Sequence, residues 1–144
     1  MPGWVQQGYD EYAKRMPKEC DLHLKEIMPG KRGKNSDVAR IVRDEGERMI
    51  QAVPAKSHIV TLDIPGKPWT TPELSVAMKR WMESGQNVAL MIGGPEGLAD
   101  SVRDIARESW SLSKLTFPHP VVRILVAEQL YRAWSILNNH PYHR

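Results

Sequence analysis

Apolar and polar positions alternate along this chain in two rhythms, a helical one of period about 3.6 and short apolar runs that predict strands. Val5, Tyr9, Tyr12 and Met16 share one helical face, and Pro17 ends that first helix. Leu22, Leu24 and Ile27 suggest a short strand. Asn35 or Ser36 can cap a second helix whose apolar face holds Val38, Ile41, Val42, Met49 and Ala52, with Glu45 its one polar member. Residues 59–64 read as the next strand. Thr70-Thr71-Pro72-Glu73 is a strong helix start, since Thr supplies a cap and Pro suits the first turn; Leu74, Ala77, Met78 and Trp81 form the face and Gly85 stops it. The continuous apolar run Val88-Ala89-Leu90-Met91-Ile92 predicts a strand buried on both faces. Val102, Ile105, Ala106 and Ser109 make a shorter helical face, and residues 110–117 read as strand or loop.

The last helix, from about Pro120 to Asn138, carries two apolar stripes. Val122, Val126, Leu130, Ala133 and Leu137 form one; Ile124, Ala127, Tyr131 and Trp134 form another, roughly 120° away. The first can face the protein's own sheet, and the expected cover for the second is another copy of the chain. Strands alternating with helices, without hairpin signals, predict an α/β fold with a mostly parallel sheet and helices on both faces. With 144 residues, 41% of them hydrophobic, residues 1–144 are expected to form a single domain. No apolar run approaches the roughly 20 residues that span a bilayer, and no secretory signal opens the chain, so a cytoplasmic protein without membrane contact is expected. The single cysteine, Cys20, excludes an intrachain disulfide and reads as structural.

Candidate chemistry gathers in three places. The strand 88–92 runs into Gly93-Gly94-Pro95-Glu96-Gly97. Ligands collect at the carboxyl ends of parallel strands, where glycines allow close backbone approach, although the same pattern also serves as a plain tight turn. It has neither the Lys-Ser/Thr of a phosphate loop nor G-x-G-x-x-G spacing, so a nucleotide, if bound, is held in another way. Lys31, Arg32 and Lys34 crowd a Gly-flanked loop that reads as solvated charge or as a phosphate-contacting arm; the net charge of +3 allows a phosphate-rich partner without demanding one. Of the five histidines, only His140 and His143 are closely spaced, in an irregular Pro-containing tail that argues against a metal site. That tail, Asn139-His140-Pro141-Tyr142-His143-Arg144, mixes groups that can stack on a base and grip a phosphate.

An ordered set of motifs resembles the ribosomal RNA large subunit methyltransferase H family, SPOUT-class enzymes that methylate N3 of a pseudouridine in 23S rRNA. The set is Gly30-Lys31-Arg32-Gly33-Lys34-Asn35, residues 62–69 (LDIPGKPW), Ile92-Gly93-Gly94-Pro95-Glu96-Gly97, Trp110-Ser111-Leu112-Ser113, Pro118-His119-Pro120, residues 128–134 (EQLYRAW) and the tail. The resemblance implies an α/β knot with a C-terminal deep trefoil, a homodimer, and S-adenosyl-L-methionine as cofactor. By matched motif, the cofactor contacts are Leu62, Gly93 and Leu112, Ser113, Lys114, Leu115, Thr116 and Phe117. Family members begin with a short apolar strand ahead of the segment matching Met1-Pro2-Gly3-Trp4, so this version is expected to lack that strand, through a downstream start or truncation, and to expose a sheet edge.

What the resemblance implies for chemistry is transfer of a sulfonium methyl group to a deprotonated N3, the base being extracted and clamped against the cofactor. Tyr142 is the residue expected to orient or stack on the uracil, Arg144 to hold its phosphate or an imidate-like N3, and Arg132 to assist. His140, His143 and Glu96 are candidate bases; Lys31, Arg32, Lys34, His140 and His143 are expected on the RNA, with the tail of one protomer completing the site of the other. Two alternatives remain at this point: a non-catalytic dimeric ribosome- or RNA-binding module, and a small-molecule methyltransferase.

Overall fold

A computed structural model of the chain describes residues 2–28, 37–94 and 96–143. Lys31, Arg32, Lys34 and Arg144 lie outside the described residues, as do the candidate caps Asn35 and Ser36. The elements are α1 (Gly3–Ala13), α2 (Val38–Ala52), β1 (His58–Lys67), α3 (Thr71–Ser84), β2 (Val88–Ile92), α4 (Asp100–Ile105), β3 (Glu108–Trp110) and α5 (His119–Leu137), with single-turn 3-10 helices at Lys18–Cys20 and Pro141–His143. They divide into two compact units: Met1–Leu24 with Trp69–Gly85 and Phe117–Arg144, and Lys25–Pro68 with Gln86–Thr116.

The second unit holds a parallel sheet of order β2-β1-β3. Val60 and Thr61 are adjacent on β1, point to opposite faces and are both buried, so β1 is the strand covered on two sides. This corrects the expectation for Val88–Ile92: β2 is an edge strand in which only Met91 is buried. An apolar run reports what its side chains tolerate, and the number of partner strands is decided elsewhere in the chain. Met91, Leu98, Ala99 and Val102 form the core, against which Val42, Met49, Ile50 and Val53 of α2 and its end are packed. Asp37 caps α2, its carboxylate accepting the Arg40 N–H at 3.2 Å. Leu22, Leu24 and Ile27 are half-buried but belong to no strand; their alternation is present without a ladder to join.

The first unit is helical. α5 packs against both α1 and α3. Val5, Tyr9, Leu74, Ala77, Met78, Trp81, Val126, Ala127, Leu130, Tyr131 and Ala133 are buried. Members of both α5 stripes are thus covered within one chain; Ile124 of the second stripe lies against Gly8 of α1. α1 stops at Ala13, three residues earlier than its apolar spacing suggests, because Pro17 disfavours helix in the residue ahead of it; Met16 is buried nonetheless. α3 starts on a complete capping box: the Glu73 N–H donates to Thr70 Oγ1 at 3.2 Å and the Thr70 N–H to Glu73 Oε1 at 3.0 Å. Thr70→Ala is expected to cost about 1 kcal/mol, read as a lower denaturation midpoint at unchanged slope. At the other end Gly85 takes φ of +72°, which a side chain resists.

Candidate active site

Parallel pairing brings Leu62, Gly93 and the segment after Trp110, the residues expected to hold the cofactor, to one sheet edge. Leu62 of β1 is in register with Ile92 of β2 and with Trp110 of β3, so Gly93 and Ser111 each follow directly after a partner of Leu62. This is the carboxyl edge of three neighbouring parallel strands, the usual place for a ligand in an open α/β sheet. The glycine turn is closed by the Gly97 N–H donating to the Gly94 carbonyl at 3.0 Å, with φ of +85° at Gly97. A Cβ on Gly93 would lie 2.7 Å from the Gly97 carbonyl carbon and 3.0 Å from the Leu98 nitrogen, leaving no room for any side chain. Glu96 is exposed on this turn.

Residues 111–116 form a loop, which decides the strand-or-loop alternative, as β3 stops at Trp110. The buried Ser111 ties it down: its N–H donates to the Lys67 carbonyl at 2.9 Å and its Oγ to the Ser113 carbonyl at 3.1 Å. The Leu115 N–H donates to Ser113 Oγ at 3.0 Å, while the Leu115 side chain is 68% exposed. The exposed Leu115 and the half-buried Leu62 and Leu112 suit the apolar part of a ligand. Phe117 belongs to the first unit's segments.

Sequence reasoning missed Arg103. Its Nε donates to Asp63 Oδ2 at 2.8 Å, just past Leu62, and its Nη1 to Asp100 Oδ1 at 3.4 Å; Asp63 chiefly holds the guanidinium pKa above its ordinary value. The pair lines an open cleft of about 290 Å³ with Thr61, Ala106, Arg107, Glu108 and Ser109. None of the residues assigned to the cofactor lines this charged cleft. A signal for Arg103 was absent from the sequence, because 40 positions separate it from Asp63.

In the first unit the tail folds back on α5. The Tyr142 hydroxyl donates to Glu128 Oε2 at 2.9 Å, and Arg132 donates to the same carboxylate through Nη2 at 2.6 Å and Nε at 3.1 Å. The Arg132 guanidinium also lies 5.1 Å from the centre of the Tyr142 ring, and the Tyr131 ring is 4.7 Å from it, tilted by 59°. Arg15 stands 5.4 to 5.8 Å from the rings of Tyr12, Tyr131 and Tyr142. Tyr142 and Arg132, both expected at the target base, are therefore neighbours joined by Glu128, with Arg15 beside the Tyr142 ring; the sequence reading left Glu128 and Arg15 without a role. Burial, and then the hydrogen bond to Glu128, push the Tyr142 phenol up to about 12, so at neutral pH it is a donor. His140 Nδ1 accepts the Tyr142 N–H at 3.3 Å, and His143 Nδ1 meets Ser135 Oγ at 3.1 Å.

Other chemistry is sparse. Among the described residues, no three His, Cys, Asp or Glu side chains are grouped to hold a metal ion, and no helix is long and apolar enough to cross a membrane. Burial pushes the Cys20 thiol up to about 11, which leaves it unreactive at neutral pH.

Comparison with known proteins adds family to this geometry. The family model described as Predicted SPOUT methyltransferase matches residues 1–143. Ribosomal RNA large subunit methyltransferase H of Methylococcus capsulatus is 60% identical over 144 residues, which is all of this chain and 93% of that protein. The match runs through the segments of both units, and the chain is a member of the SPOUT methyltransferase family.

Proposed function

We propose that this protein uses S-adenosyl-L-methionine to methylate N3 of a pseudouridine in 23S rRNA of the large ribosomal subunit, acting in the cytoplasm as a homodimer whose C-terminal part forms a trefoil knot. The observation that carries the reading is the convergence of Leu62, Gly93 and the 111–116 loop on one edge of a parallel sheet. The name of the 60% identical relative supports the substrate class. Leu62, Gly93 and the segment from Leu112 to Phe117 would hold the cofactor, which when bound supplies an electrophilic methyl group on a positively charged sulfur.

The chain's own residues supply binding and orientation. Tyr142, held by Glu128 and flanked by Arg132, presents an aromatic face on which a uracil stacks. Arg132 offers positive charge where an N3 anion develops, and preorganised charge of this kind is the usual source of transition-state stabilisation. Lys31, Arg32, Lys34, His140 and Arg144 would contact rRNA phosphates, which fixes register without reading sequence.

The test is mass mapping of 23S rRNA after ribosomes from a strain lacking the modification are incubated with this protein and S-adenosyl-L-methionine. One added methyl group on the pseudouridine-bearing fragment is expected. Cofactor binding by calorimetry with no methyl added to ribosomes would overturn the substrate assignment, and no cofactor binding would overturn the enzymatic reading.

A further inference from the structure

The proposed reaction needs an acceptor for the N3 proton, and hydrogen bonding within the tail distinguishes its two histidines. Ser135 is fully buried on α5, and its hydroxyl lies 2.6 Å from the Arg132 carbonyl oxygen. A carbonyl only accepts, so the single Ser135 proton is committed there. The 3.1 Å contact between Ser135 Oγ and His143 Nδ1 must then be a bond in which Nδ1–H donates to the Ser135 lone pair. In neutral His143 the far nitrogen, Nε2, carries the free electron pair. His140 is the reverse case. Its Nδ1 accepts the Tyr142 N–H, so its neutral ring keeps the proton on Nε2 and is a donor outward.

We infer that His143 is the catalytic base, its Nε2 taking the proton from N3 of the target base, with Ser135 as the positioning residue that fixes its tautomer. This rests on the methyltransferase reading above. Glu128 and Ser135 are two helical turns apart on one face of α5, and Tyr142 and His143 dock on them in turn, so the base sits next to the ring that orients the uracil. The N3–H bond breaks, its proton goes to Nε2, and the N3 electron pair bonds the methyl carbon. The carbon–sulfur pair stays on sulfur, and the imidazolium later returns its proton to water. The rival groups in the tail are committed: the Glu128 carboxylate accepts from Arg132, Tyr142 and Gln129, and the Tyr142 hydroxyl is itself a donor.

Nitrogen-15 NMR of the full chain, at a pH where both imidazoles are neutral, reads the tautomers without any cofactor or substrate. His143 is expected as the Nδ1–H form and His140, in the same spectrum, as the Nε2–H form. Ser135→Ala should release His143 to a mixture and lower kcat on ribosomes by tenfold or more, with KM for ribosomes and cofactor changed less than twofold. His143→Gly should lose at least 100-fold in kcat and regain activity with added imidazole. An Nε2–H tautomer at His143 in the parent protein, or kcat within threefold of the parent in His143→Gly, overturns the assignment. A parent protein that shows the expected tautomer but methylates no rRNA instead fails the function on which the inference rests.

Discussion

Arg132→Ala is expected to reduce methyl transfer to ribosomes by about 100- to 1000-fold, the usual loss on deleting a group that faces developing negative charge. The loss should fall on kcat, measured in single turnover with labelled cofactor, while cofactor affinity by calorimetry stays within twofold, since the proposal gives Arg132 a role at the developing N3 charge and none in holding the cofactor. A turnover within threefold of the parent would remove Arg132 from the chemistry. Tyr142→Phe separates two roles in the same cluster. It keeps the ring beside Arg132 and Tyr131 but deletes the hydroxyl that donates to Glu128, and a loss of about tenfold is expected for one hydrogen bond of this charge-assisted kind. The pH behaviour has a definite sign. The folded-state pKa of Tyr142 is raised to about 12, so its protonated form and the Glu128 bond are intact below the ordinary value near 10 and are lost only as pH rises through about 12. No Tyr142 inflection is therefore expected in the rate profile between about pH 7 and pH 10.

Gly93→Ala has the largest expected effect on the sheet edge proposed to hold the cofactor. The added carbon would sit 2.7 and 2.9 Å from the carbonyl carbon and oxygen of Gly97 and 3.0 Å from the Leu98 nitrogen. All three are backbone atoms in a turn already closed by its own hydrogen bond, so no side chain can swing away to make room. Overpacking of this kind costs roughly 1–3 kcal/mol, and in a chain of this size a melting temperature lower by roughly 5 °C is expected, with cofactor affinity reduced at least tenfold. Gly85→Ala is the comparison. It strains a left-handed residue with nothing within 4 Å, so it should cost about 1 kcal/mol and leave cofactor affinity unchanged. Equal cofactor affinity in Gly93→Ala and the parent would detach the glycine turn from the binding site.

Local chemistry was legible wherever it is settled within a few residues. The capping box at Thr70, the stop at Gly85 and the long helix through Val126 and Leu130 follow from side chains one helical turn apart, and their energies do not depend on distant partners. The three segments proposed to hold the cofactor were legible only as motifs matched to a family. Pattern alone took the glycine turn no further than a candidate ligand loop, and it read β2 as buried on both faces where only Met91 is buried.

What the sequence by itself determined is therefore the long helices, the caps and stops set by near neighbours such as those at Thr70 and Gly85, the α/β class and the family. Only the tertiary structure decided that β1 is the central strand, that Leu62 lines up with Ile92 and Trp110, and that Leu22, Leu24 and Ile27 join no ladder. It alone joined Tyr142 to Glu128 and Arg132, His143 to Ser135, and Arg103 to Asp63. The physical reason is range. Caps and helical faces are fixed by neighbours along the chain, whereas strand order, hydrogen-bonded charge clusters and the tautomer of a histidine depend on partners that the sequence lists without saying they meet.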